Sequence, residues 1–135
     1  IESNLRPDAK SPVGAYGIMQ IMPGTWKDIL YKDGGILDNI SDARWNIAAG
    51  IAYMHDIWSR WKPKETWLDH LAFVLGSYNA GRGNIIKAQA IAGKKGMNTE
   101  VWVSIESTLP MVTGSHSKET INYVNRIKVC RRDLK

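Results

Sequence analysis

Glu2 carries a carboxyl that could move a proton, and the residues after it could supply its surroundings. A carboxyl that donates a proton near neutral pH must be held protonated, and apolar surroundings do so by disfavouring the charged form. Nine residues on, Ser11 opens the run Ser11-Pro12-Val13-Gly14-Ala15-Tyr16-Gly17-Ile18-Met19-Gln20-Ile21-Met22-Pro23. Gly14 and Gly17 permit a tight backbone path, and Met19, Gln20 and Met22 set one amide among apolar groups. Two readings stand side by side. Glu2 is a general acid served by neutral hydrogen-bonding groups, or it is an exposed end charge beside a loop that packs onto a core, since glutamate is almost always solvated. His55, His70, His116 and Cys130 show no ligand spacing, so neither a metal nor another cofactor is expected.

The elements that must hold such groups are helical beyond residue 40. Ser41 and Asp42 can cap a helix with Ile47, Ile51, Met54, Trp58 and Trp61 along one apolar face, closed by Pro63. Thr66 with Asp69 resembles a capping arrangement. It opens a helix with Leu68, Leu71, Leu75 and Tyr78 on one face, ended by Gly81 and Gly83. A short helix over Asn84 to Ala92 is predicted to stop at Gly93, and Thr99 to cap another that runs to Ser107 and breaks at Pro110. Ser117 caps a last helix with Ile121, Val124, Ile127 and Cys130 on its apolar face, and Arg131, Arg132 and Lys135 near its negative end. The first forty residues differ: Pro7, Pro12, Gly14, Gly17, Pro23, Gly24, Gly34 and Gly35 punctuate them. So much irregular backbone in a small helical chain points to a cleft, because binding and catalytic groups concentrate on loops held by a rigid scaffold.

Composition bounds the rest. The 135 residues fit one domain, and 44% hydrophobic with 23% charged is an ordinary globular balance. No apolar run approaches the ~20 residues that span a bilayer, so no transmembrane segment is expected in this chain. A net charge of +5 attracts nucleic acid, anionic membranes or an anionic polymer without choosing among them. Six tryptophans are many for this length, and aromatics stack on sugar rings as well as fill cores. One cysteine allows no internal disulfide.

The motifs together carry more than any one of them. Glu2-Ser3, then Ser11, then Gly14-Ala15-Tyr16-Gly17-Ile18-Met19-Gln20-Ile21-Met22-Pro23-Gly24-Thr25, resembles the first motif of the soluble lytic transglycosylase family. Tyr78-Asn79-Ala80-Gly81 resembles the second. Trp102 to Pro110 is similar to the segment preceding the third, which Glu119-Thr120, Tyr123-Val124 and Ile127 resemble. The resemblance runs in order from residue 2 to about residue 130. It implies a mainly α, lysozyme-like domain over residues 1–135 with a substrate groove, acting on peptidoglycan between N-acetylmuramic acid and N-acetylglucosamine. It implies Glu2 as catalytic acid and Ser11, Gln20, Met22, Tyr78, Asn79, Glu106 and Tyr123 as substrate-binding residues. It also implies that the acetamido group of the substrate replaces a second carboxylate and that Glu2 then takes the proton of the C6 hydroxyl, giving a 1,6-anhydro product. The implied setting is the periplasm or cell envelope, or a phage particle.

Each carry-over has a plainer counterpart. Ser11 can be a turn residue before Pro12, Met22 and Tyr78 plain core, and Glu106 a surface charge on a short helix. Ile18 stands where the family usually has leucine and Ser77 where it usually has alanine; the stretches 31–35 and 111–115 are local loop differences. The helix that should carry Glu2 has one preceding residue, so the natural protein is expected to extend before Ile1 with helix-forming sequence, as part of a larger protein or assembly. A hydrolytic goose-type lysozyme, a peptidoglycan-binding module with an inert Glu2, and a basic helical nucleic-acid binder remain as alternatives. No motif supports the last, so no nucleic-acid partner is expected.

Overall fold

The computed structural model describes residues 5–32 and 39–132. These residues are mainly α, as the sequence implies. The helices are α1 (Pro23–Lys32), α2 (Ala43–Arg60), α3 (Trp67–Ala80), α4 (Arg82–Lys94), α5 (Trp102–Thr108), α6 (Pro110–Thr113) and α7 (Ser117–Arg132), with a 3-10 turn at Gly114–His116. They form two compact units, divided within α2 after Asp56.

The first unit is a looped segment, then α1, then most of α2. Its core is Ile21, Trp26, Ile29 and Ala49, with Met19, Leu30, Ile40 and Tyr53 packed against it. Asp42 caps α2: its Oδ1 accepts from the N–H groups of Arg44 (2.9 Å) and Trp45 (3.3 Å). The helix lies where its cap signal predicts, but its buried face does not. Ile47 and Ile51 are 38% and 61% exposed, whereas Asn46, Ala49 and Gly50 are buried. The cause is close approach. A side chain at Gly50 would meet Met19 at 2.8 Å, so the helix presents its small residues to the loop and turns its isoleucines outward.

The second unit is built around α3, which packs against α7, α4 and α5. Thr66 caps it as expected, Oγ1 accepting from Asp69 N at 3.0 Å, and Gly81 terminates it at φ 86°. Leu68 faces outward at 39% exposure, and Ala72 to Ser77 are all buried, so this helix is central rather than amphipathic. Trp102 fills the space left by Gly76: a Cβ there would lie 2.5 Å from its ring. Thr99 does not cap α5. The orphan Trp102 N–H instead donates to Asp69 Oδ1 at 2.8 Å, while Asp69 Oδ2 accepts from the Thr66 hydroxyl at 2.6 Å, so one carboxylate serves two helix starts. Gly93 stays inside α4, and Gly96, at φ 70°, follows the helix end. On α7 the buried positions are Ser117, Thr120 and Val124, while Cys130 is exposed rather than part of the apolar face.

Lys64 ties the entry of α3 to that of α5. Its side chain is 4% exposed, its Nζ donates to Glu100 Oε2 at 2.9 Å, and the ammonium lies 4.7 Å from the centre of the Phe73 ring. The hydrogen bond from Lys64 holds the Glu100 carboxyl below the ordinary glutamate range, against an opposing effect of burial. A lowered native value contributes stability at neutral pH that is lost as pH falls from the ordinary carboxylate range through the lowered one. Glu100→Gln is therefore expected to melt about 3–5 °C lower at pH 7, for roughly 1 kcal/mol after screening of the half-exposed carboxylate. The gap to the native protein should narrow as pH falls below the ordinary carboxylate range, which thermal denaturation at pH 7 and in acid checks.

Candidate active site

In the first unit the predicted Ser11, Gln20 and Met22 share one tightly folded loop. Two bridges shape it, Lys10 to Tyr16 and Tyr16 to Ile21. The backbone N–H of Tyr16 donates to the Ile21 carbonyl and that of Ile21 to the Tyr16 carbonyl, both at 2.9 Å. Ser11 pins the preceding turn: its N–H donates to the Ala15 carbonyl and its Oγ accepts from Ala15 N, both at 2.9 Å. The turn-residue reading of Ser11 is thus true of its oxygen, which leaves the hydroxyl proton as the group it can offer a ligand.

Gln20 takes φ 50°, a left-handed conformation that costs a non-glycine residue roughly 1 kcal/mol or more. Its Nε2 donates to the carbonyls of Gly17 (2.8 Å) and, at a longer 3.4 Å, Ala9. Both partners are acceptors, so the amide can point only one way: nitrogen into the loop, oxygen away from it. Met22 follows at 43% exposure and is not core, which removes its plainer reading.

Asn46 on α2 holds the loop in place and is not among the sequence candidates. It is fully buried; its Oδ1 accepts from Met19 N at 2.8 Å, and its Nδ2 donates to the carbonyls of Tyr16 (3.0 Å) and Ile40 (2.9 Å). Gly17, at φ 75°, passes so near that a Cβ there would strike the Asn46 side chain. The one available signal is a lone amide in the middle of an otherwise apolar stretch of helix.

In the second unit Tyr78 and Asn79 lie in the last turn of α3, Glu106 on α5 and Tyr123 on α7. Thr120 Oγ1 donates to Asn79 Oδ1 at 2.6 Å, which turns the Asn79 amide nitrogen away from α7. Tyr123 lies one turn beyond Thr120 on the same helix, on the flank of its buried stripe. Glu106 Oε1 accepts from Asn125 Nδ2 at 3.1 Å. Asn125 is two residues, or roughly 200° of helical rotation, from Tyr123. Hence Asn79 is bonded to Thr120, one turn before Tyr123, whereas Glu106 is bonded to Asn125 on another flank of α7. Glu2, Asp33 and Asp38 lie outside the described residues. Asp28 is exposed on α1.

In the first unit the Ser11 hydroxyl and the Gln20 amide, held by backbone-directed bonds, share a loop with the partly exposed Met22 thioether; the second unit by itself holds the Asn79 amide through Thr120. Such groups orient an uncharged polar ligand and accommodate charge that develops on it without competing as nucleophiles. The family model "Transglycosylase SLT domain" matches residues 1–101. A membrane-bound lytic murein transglycosylase F of Desulfosudis oleivorans is 31% identical over 137 residues, covering 93% of this chain and 29% of that protein. The protein of that name in Maricaulis maris is 30% identical over 122 residues, covering 90% of this chain and 25% of its own. That of Shewanella loihica is 29% identical, covering 94% and 28%. The chain therefore spans little more than a quarter of the length of these relatives.

Proposed function

The chain belongs to the transglycosylase SLT domain family, and from that premise we propose that it is a peptidoglycan lytic transglycosylase that cleaves the bond between N-acetylmuramic acid and N-acetylglucosamine. The observation that carries the reading is that the matched residues 1–101 include Glu2, the Ser11 to Met22 loop and Tyr78-Asn79, in the order of the family's motifs. Glu2, protonated, gives its proton to the glycosidic oxygen as the bond to the muramic acid anomeric carbon breaks. The acetamido carbonyl oxygen of the same sugar bonds to that carbon. Glu2, now a carboxylate, takes the proton of the C6 hydroxyl, whose oxygen bonds to the anomeric carbon and displaces the acetamido oxygen. The 1,6-anhydro sugar leaves, Glu2 is protonated again, and no water is consumed.

Gln20, Tyr78 and Tyr123 serve in this scheme as neutral groups that orient the acetamido group, Met22 as apolar wall, and Ser11, Asn79 and Glu106 as further contacts to the glycan. The net charge of +5 suits a polymer that bears free carboxylates. The relatives are named as membrane-bound, and we place the activity in the bacterial cell envelope. Among the described residues no helix is long and apolar enough to cross a membrane.

Digestion of purified peptidoglycan is expected to yield anhydromuropeptides and no new reducing ends. Borohydride converts reducing muramic acid and leaves the anhydro sugar untouched, so mass spectrometry before and after reduction reads the product directly. Products that are mostly reducible identify a hydrolase of the goose-type lysozyme kind instead, which needs a carboxylate to activate water about 6.5–9.5 Å from Glu2. Asp33 and Asp38 would then be the first to mutate. No clearing at all leaves a binding module.

A further inference from the structure

Trp61 lies one residue past the end of α2 and is 7% exposed, yet its ring reaches both ends of the segment that carries Tyr78 and Asn79. Its Nε1 donates to Ser77 Oγ at 3.0 Å, a buried bond to the residue immediately before Tyr78. On the far side of Asn79, the Arg82 guanidinium lies 4.8 Å from the centre of the same indole, and Arg82 Nη2 donates back to the carbonyl of Arg60, the neighbour of Trp61. Phe73 meets the ring edge-on at 5.1 Å and Lys64 lies 5.0 Å from its centre, so the indole is itself fixed. Between the two anchored ends the backbone turns sharply: Gly81 N–H closes on the Ser77 carbonyl at 3.0 Å, at φ 86°. A helix end of this kind frays unless it is tied down, and here both ties run to one side chain. Ser77 supplies the hydroxyl that accepts this buried indole N–H.

We propose that Trp61 is a positioning residue: through Ser77 and Arg82 it sets where the last turn of α3 presents Tyr78 and Asn79 to the glycan. This rests on the proposed action on peptidoglycan. Loss of the Ser77 oxygen leaves a buried N–H without a partner, which costs more than the bond itself is worth, and the helix end shifts to relieve it. The contacts served are made to bound substrate, and Tyr78 also orients the acetamido group that reacts, so the effect falls on binding and on kcat/KM.

The test uses soluble, uncrosslinked glycan strands, with Kd from calorimetry and KM and kcat from product release, well below the melting temperature of every variant. Ser77→Ala and Trp61→Phe are each expected to raise Kd about tenfold and to lower kcat/KM at least as much. Trp61→Phe/Ser77→Ala removes both partners together and should do no more harm than either single change. In a Tyr78→Phe/Asn79→Ala background, Ser77→Ala should add nothing. Lower melting temperatures with unchanged Kd and kcat/KM would overturn the proposal and leave a purely structural bond, as would a full additional effect in the Tyr78→Phe/Asn79→Ala background. If Trp61→Phe does not fold, Ser77→Ala decides the matter alone. A parent protein that binds strands without cleaving them refutes the transglycosylase reading while Kd still tests positioning; one that binds none refutes both.

Discussion

Glu2→Gln is expected to abolish lysis of peptidoglycan while the protein still folds. The amide keeps the size and most of the polarity of the acid but has no proton to give the glycosidic oxygen and no negative charge with which to take one from the C6 hydroxyl. General acid–base catalysis by one positioned group is typically worth about 10²–10⁴-fold, and here the same group serves both half-reactions. Turbidity clearance should therefore fall by at least about 10²-fold, with circular dichroism and melting temperature unchanged. Glu2→Asp makes a finer version of the test: it retains the chemistry but withdraws the carboxyl by one methylene, and a misplacement of about 1 Å can itself cost about 10²-fold. Clearance by a folded Glu2→Gln protein at a rate comparable to the parent would show that the proton comes from elsewhere.

Signals in the sequence are legible where the physics is local. The Thr66–Asp69 cap, the Asp42 cap and the Gly81 terminus involve residues a few positions apart, and the structure has all three. Signals that depend on distant partners are not. Asp69 also caps α5 across 33 residues, so Thr99, the plausible local cap, goes unused. On α2 the periodicity of bulky apolar residues selects Ile47 and Ile51, but the buried stripe is Asn46, Ala49, Gly50 and Ile57. The pattern is present at the correct spacing of three and four; what misleads is size. A loop that must pass close to a helix selects small residues on the near face, and an index of hydrophobicity follows large ones. Cys130 misleads in the same way, as an apolar residue at helical spacing beyond the last buried turn.

The candidate site divides along the same line. Tyr78-Asn79 and the Gln20 loop stand out in the sequence through their resemblance to the family's motifs. Their supports, Asn46, Trp61 and Thr120, are not, because each acts on a partner 27, 16 or 41 residues away. Burial of such groups follows from the need of the loop's own backbone for partners, which no reading of side chains one at a time supplies.

Asn46→Asp is accordingly expected to be among the most damaging single changes in the first unit, although it alters almost no volume. The three bonds of Asn46 go to one backbone N–H and two backbone carbonyls, so the orientation of its amide is dictated by its partners rather than chosen. An aspartate keeps the acceptor for Met19 N. It also places a second oxygen, and a charge, against the carbonyls of Tyr16 and Ile40 in a site from which water is excluded. The Tyr16 carbonyl keeps the Ile21 N–H, but the Ile40 carbonyl is left unsatisfied at about 1–3 kcal/mol, and the buried charge against both carbonyls adds to that. Against a total stability of about 5–15 kcal/mol this is a large share. The melting temperature should fall by about 10 °C or more, and the amides of Gly17, Gln20 and Ile21 should lose protection from hydrogen exchange before those of α3 do. Asn46→Leu, which removes all three of these bonds without adding charge, should behave similarly. If Asn46 served only to fill space, Asn46→Asp would melt within a degree or so of the parent and the loop amides would stay protected; that result would remove Asn46 as the residue that holds Gln20 and Ser11 in shape. With the loop loosened, the left-handed conformation of Gln20 has nothing to sustain it, and lysis should decline even at temperatures where α3 and α7 remain folded.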